Sequence, residues 1–205
     1  MNSRVNEEAG LYDASGSLLI KWADTTIDIE KDRTADKTSY SHWKDLYPNT
    51  KRVVVPDGIT KLGKSAFEQA NVDEVVLPNG VELIGEKAFF LSGLKTINLP
   101  DSIKTIETQA FAMCPLTTIA LPSDLETLGG QVFTVCTNLK TVSIENKLRE
   151  IGENVFAMCD ALESINVASD NPYFISTSGI LFDKNKTVLF RYPSNKVGSI
   201  YRKNN

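Results

Sequence analysis

The apolar positions of this chain recur with a long period. Val53, Val75, Ile97, Ile119 and Val142 each open a short apolar-rich stretch, in which apolar and polar residues alternate most clearly at Ile97-Asn98-Leu99. Alternation of this kind predicts a short strand. Pro56, Pro78, Pro100 and Pro122 follow these stretches, each 22 residues from the last. Paired aliphatics come next: Ile59 and Leu62, Val81 and Ile84, Ile103 and Ile106, Leu125 and Leu128, Leu148 and Ile151. A column reading Gly63, Gly85, Glu107, Gly129 and Gly152 succeeds them. Phe67, Phe89, Phe111, Phe133 and Phe156 then recur, each preceded by Ala or Val.

Each unit thus reads aliphatic-x-aliphatic-Pro, a turn, aliphatic-x-x-aliphatic-Gly, then Ala-Phe-x-x-small-x-x-Leu. The expected elements are a short strand, a Pro-punctuated turn, and a turn of helix near the Ala-Phe pair. A unit of 22 or 23 residues cannot bury its own apolar face, so the units must stack. Equivalent strands then pair about 4.8 Å apart. The result is a solenoid with a parallel sheet on one side.

The run Leu94-Lys95-Thr96-Ile97-Asn98-Leu99-Pro100-Asp101-Ser102-Ile103-Lys104-Thr105-Ile106, followed by Ala110-Phe111-Ala112-Met113-Cys114, resembles the BspA-like leucine-rich repeats. Five units, over residues 53–164, share that pattern. The resemblance implies a right-handed leucine-rich-repeat solenoid, mostly β with short helical turns and terminal β caps. Residues 1–52 are expected to form an N-terminal tail and β cap, with Leu18–Trp22 and Trp43 placed like the short strands that open such arrays. Residues 165–193 are expected to add a repeat strand and a hairpin. Ser176–Asp183 and Thr187–Pro193 are similar to an insert of that family, and their alternation around Asp183–Lys186 also predicts a hairpin. Residues 194–205 read as a loose tail or the start of a further repeat at Ser199-Ile200-Tyr201.

Composition narrows the chemistry. The net charge of −4 gives no overall basic surplus for a nucleic-acid backbone. No apolar run approaches the 18 to 20 residues, roughly, of a membrane-spanning helix. Met1–Glu8 is polar and lacks an apolar signal core, as expected of a cytosolic protein or a mature form. Three cysteines cannot complete a disulfide framework within one chain. Cys114, Cys136 and Cys159 share a column with Ala70 and Ser92, which reads as small buried side chains. A zinc site needs tetrahedrally converging ligands, not a row along a stack. His42 stands alone, near Trp43 and Tyr47, with no partners for a nucleophilic triad. The adjacent carboxylates Glu7-Glu8 and Asp73-Glu74 do not make a glycosidase pair by proximity alone. Glycine-rich phosphate loops are missing. No cofactor, metal or catalytic residue is expected. The Phe column reads as a stacked spine inside the coil, and Phe133→Ala is expected to cost about 3–5 kcal/mol.

Strand alternation places the candidate binding residues. With Leu94, Ile97 and Leu99 inward, Lys95, Thr96 and Asn98 face outward. Their equivalents are Lys51 and Arg52; Asp73 and Glu74; Thr117 and Thr118; Lys140, Thr141 and Ser143; Glu163, Ser164 and Asn166. This small polar ladder on the concave face is the expected protein-contact surface. The family resemblance implies an adhesin-like, non-enzymatic protein, on the cell surface or secreted. Its implied partners are host matrix proteins such as fibronectin or fibrinogen. An intracellular interaction scaffold is the alternative, and a polysaccharide-acting β-solenoid enzyme a remote one. An uncapped coil end would allow end-to-end self-association.

Overall fold

A computed structural model describes residues 10–12, 14–15, 18–21 and 49–196 of the chain. Within these residues the structure is built from strands and turns, with no helix. Two ladders of parallel strands run along the stack. The first contains β3 (Arg52–Val54), β5 (Glu74–Val76), β7 (Thr96–Asn98), β9 (Thr118–Ala120), β11 (Thr141–Ile144) and β13 (Ser164–Val167). In the second are β4 (Lys61–Leu62), β6 (Leu83–Ile84), β8 (Thr105–Ile106), β10 (Thr127–Leu128) and β12 (Glu150–Ile151). We number the coils 1 to 5 by their phenylalanines, from Phe67 to Phe156.

Register repeats the sequence period. Val53 pairs with Val75 and Val75 with Ile97; Ile119 pairs with Val142 and Val142 with Ile165. The second ladder was not foreseen from sequence. Its strands are two residues long, too short for alternation to reveal. It explains the glycine column. A Cβ on Gly85, Gly129 or Gly152 would lie 2.7, 2.7 or 2.4 Å from the backbone of the coil below. Glu107, which departs from that column, turns its carboxylate back to accept the Glu86 N–H at 2.8 Å.

The stretch around each Ala-Phe pair is a run of tight turns, not the expected turn of helix. Ala66, Glu68 and Ala70 donate to carbonyls three residues back, while Ser65, Phe67 and Gln69 donate to the next coil. Alternate residues therefore hold the turn and the stack. The cost is positive φ at two sites per coil, for example Gln131 at 57° and Val135 at 61°. A β-branched residue seldom adopts that conformation, and the inter-coil bonds at Gln131, Phe133 and Val135 hold it there.

The core is a set of stacked columns. Phe67, Phe89, Phe111 and Phe133 are fully buried, and successive rings lie 5.2, 5.0 and 5.7 Å apart, with Phe156 a further 5.8 Å on. The rings are parallel to within 11°. The aliphatic columns pack around them.

Both ends carry different structure. β1 (Gly10–Tyr12) pairs antiparallel with β3 and with β2 (Leu18–Lys21). At the far end β14 (Phe174–Thr177), β15 (Ile180–Asp183) and β16 (Leu189–Arg191) form an antiparallel sheet in that order. Its Ser178–Gly179 turn sits against β13, where Ile165 N–H donates to Gly179 O at 2.9 Å. Asn171, wholly buried, anchors this sheet. Its amide donates to the carbonyls of Glu145 and Leu148, and its Oδ1 accepts from Tyr173 and Phe174. Trp22, His42, Trp43, Tyr47, Glu7-Glu8 and the segment 197–205 lie outside the described residues.

Candidate functional site

Strand alternation brings one set of the anticipated residues together. Glu74 and Thr96 are register partners on the outer face, as are Thr118, Thr141 and Ser164. Asn98, Ser143 and Asn166 form the neighbouring column, where Ser143 pairs with Asn166. Thr96, Asn98, Thr118 and Asn166 are exposed, and Thr141 and Ser143 half-buried. Ser164 is less available than the alternation suggests. The hairpin turn crosses it, and a Cβ on Gly179 would lie 2.8 Å from the Ser164 Cβ.

Lys51, Asp73, Lys95, Thr117, Lys140 and Glu163 precede the strands and line one rim of this face. Several charges are matched between coils. Arg52 Nε lies 2.9 Å from Glu74 Oε2, and Lys95 Nζ lies 3.3 Å from Asp73 Oδ1. Lys51 Nζ donates to Asn71 O at 3.0 Å. Charge matching leaves coils 3 to 5 with a face dominated by threonine, serine and asparagine.

This ladder is not continuous. β3, β5 and β7 form one hydrogen-bonded run, and β9, β11 and β13 another. Pro115 offers a reason. Gly93, one coil earlier, donates its N–H to Ala70 O at 2.9 Å, and proline at the corresponding place has no N–H to give. The second ladder and the Phe turns stay bonded across the same junction. Ile97 is only half-buried beside the break, unlike its buried equivalents Val75 and Ile119. A shallow cleft of about 320 Å³ lies on β5 and β7, lined by Glu74–Leu77 and Thr96–Asn98. Glu74 is its one titratable side chain, so no two-carboxylate arrangement forms there.

The cysteines take the structural place read from sequence. All three are buried, unbridged and bonded to the coil below. Cys114 Sγ donates to Phe89 O at 2.9 Å, Cys136 Sγ to Phe111 O at 3.1 Å and Cys159 Sγ to Phe133 O at 3.0 Å. Burial pushes the thiols of Cys114 and Cys159 up to about 11 and that of Cys136 higher still. Thiols held in the neutral form are poor nucleophiles and poor metal ligands.

Sequence reasoning missed a second recess at the C-terminal end. It has a volume of about 360 Å³ and lies between coil 5, at Ile151–Ala157, and Leu181, Leu189, Phe190 and Arg191 of the hairpin sheet. The available signal was the apolar run Val188-Leu189-Phe190, which continues as strand β16 while its side chains remain largely exposed.

Comparison with known proteins matches residues 51–185 to the BspA type leucine rich repeat region, in six copies. That exceeds the five full units counted from the columns. β13 repeats the strand of a unit, and the hairpin sheet then replaces the Ala-Phe turn. Among solved structures, a leucine-rich repeat protein from Eubacterium ventriosum is 25% identical with a TM-score of 0.73, over 80% of this chain and 45% of that one. The T. pallidum leucine rich repeat protein is 34% identical with a TM-score of 0.54, over 56% of this chain and 57% of that one. A leucine-rich repeat protein from Bacteroides ovatus is 25% identical with a TM-score of 0.53, over 62% of this chain and 33% of that one. In each case the chain spans less than two thirds of the matched protein. No curated protein sequence matches this chain.

Proposed function

We propose, from the fact that the chain belongs to the BspA-type leucine-rich repeat family, that it is a non-enzymatic, adhesin-like module at the cell surface. It would bind host or matrix proteins, such as fibronectin or fibrinogen, through the outer face of the first ladder. The family and fold support a protein-interaction module. Adhesion to a host partner is what the family resemblance adds to that.

The observation that carries the choice of surface is the row of exposed polar side chains, Thr96 and Asn98 on one hydrogen-bonded run of strands and Thr118 and Asn166 on the other, with register fixed within each run. Rigid strands hold such groups in place at little further entropic cost on binding. At about 4.8 Å per strand, six strands span roughly 24 Å, which is wide enough for a folded partner. The face offers few aromatic anchors, so each contact should be individually weak and affinity modest.

The test is surface-plasmon binding of the purified chain to fibronectin and fibrinogen. A variant carrying Lys95→Glu, Thr96→Asp, Lys140→Glu and Thr141→Asp runs alongside. Saturable binding that drops at least tenfold in the variant supports the proposal. Binding kept by the variant moves the site elsewhere, and no binding to either protein removes the matrix-adhesin reading.

A further inference from the structure

The recess at the C-terminal end has two walls of unpaired main chain. In the stack below, turn amides donate upward: Gln131 to Glu153 O at 2.8 Å, Phe133 to Val155 O at 2.9 Å and Val135 to Ala157 O at 2.8 Å. The corresponding amides of coil 5 belong to Asn154, Phe156 and Met158. Among the described residues they have no acceptor. On the opposite wall β16 is the edge strand of its sheet, bonded to β15 alone. Leu189 and Phe190 on that strand are 54% and 40% exposed, and Met158, which follows the lining residue Ala157 in the chain, is 58% exposed. Arg191 also lines the recess. Its Nη2 donates to Ser194 Oγ at 2.8 Å, while its Nε is buried without a hydrogen-bond partner.

We propose that this recess is a groove for an extended, apolar peptide segment of a partner protein, bound by strand addition. The requirements follow from the walls. Amides at alternate residues 154, 156 and 158 call for carbonyls at alternate residues, which an extended chain presents along one edge. The buried Arg191 Nε–H calls for one further acceptor. The exposed side chains of Leu189 and Phe190 call for apolar side chains against them. A lipid chain would meet the last requirement and leave the donors unsatisfied. This groove is separate from the outer face of the first ladder, so the two proposals stand or fall independently.

The experiment pans a displayed random-octapeptide library on the chain of residues 1–205, then measures selected peptides by fluorescence anisotropy. The expected result is a family with apolar residues at alternate positions. Leu189→Asp and, separately, Met158→Lys should weaken binding at least tenfold, and the four-residue variant of the sheet face should bind normally. Bound peptide should slow hydrogen exchange at the Asn154, Phe156 and Met158 amides at least tenfold. This second readout uses the unsubstituted protein and does not depend on how the variants fold. The proposal is overturned if no peptide family emerges, or if peptides leave those three amides unprotected. It is also overturned if the chain's mass doubles with concentration and Leu189→Asp prevents it, since a second copy then fills the groove. Peptide binding that appears only after removal of residues 197–205 would overturn it as well, because the chain would then fill its own groove.

Discussion

Phe133, in mid-stack, has a parallel ring on each side, Phe111 at 5.7 Å and Phe156 at 5.8 Å. Phe156, at the end, has Phe133 on one side and lines the recess with Leu181, Leu189 and Phe190 on the other. In mid-stack the alternate turn amides Gln131, Phe133 and Val135 have carbonyl partners in the next coil, whereas their coil 5 equivalents Asn154, Phe156 and Met158 have none among the described residues. The same unit thus behaves differently according to its neighbours. A repeat supplies one half of each interaction, and the next copy supplies the other half. Where the copy is replaced by a hairpin sheet, burial is maintained but main-chain pairing is not.

The largest way to sharpen this contrast is to remove rings. Phe133→Ala should cost about 3–5 kcal/mol because it leaves a void between two rings. Phe190→Ala, at a ring that is partly exposed and touches Phe174 edge-on, should cost roughly 1 kcal/mol. Urea melts of both variants give the comparison. A mid-stack loss of a few tenths of a kcal/mol would contradict the spine.

Glycine offers the next test. Gly129→Ala would place a Cβ 2.7 Å from Thr108 N, whereas Gly130→Ala would place one no closer than 3.4 Å to Glu153 O. The first should destabilise by about 1–3 kcal/mol as an overpacked contact, and the second by well under 1 kcal/mol. Thermal denaturation separates them.

The buried thiols predict a pH dependence. Their ordinary value is 9.0, and burial raises Cys114 and Cys159 to about 11. Above pH 9 the unfolded chain gives up these protons while the folded chain keeps them, so stability falls as pH rises from 9 to 11. Each thiol contributes a slope of at most about 1.4 kcal/mol per pH unit. Replacing Cys114, Cys136 and Cys159 by Ala should flatten that part of the urea-midpoint profile.

The smallest effect belongs to the charge pairs of the sheet face. Lys95→Met should cost less than about 1 kcal/mol, since its pair with Asp73 is exposed. The cost should shrink further in 0.5 M salt, where the Debye length falls to about 4 Å. An undiminished loss in salt would mean that Lys95 acts through packing instead.

The stacked core was legible in the sequence because each column repeats one demand. Phe at 67, 89, 111, 133 and 156 gave the spine, and Cys at 114, 136 and 159 gave the small buried column. The second ladder was hidden because a two-residue strand has no periodicity of its own, and its marker was the close-approach glycine column. The Ala-Phe segment suggested helix, but it carries alternate bonds to the next coil, and a single unit read alone does not show them. Pro115 was visible, while its effect on β9 depends on a bond that Gly93 makes in the neighbouring coil. The buried Asn171 and the open edge of β16 arise where repetition stops, so no column marks them.

The measurement that bears most directly on the proposed function is binding to fibronectin and fibrinogen by three proteins in parallel. They are the unaltered chain, the four-residue variant at Lys95, Thr96, Lys140 and Thr141, and Leu189→Asp. The account predicts saturable binding that the face variant loses and Leu189→Asp keeps. Binding kept by the face variant would contradict the assignment of that surface, and loss in Leu189→Asp alone would place adhesion at the C-terminal groove.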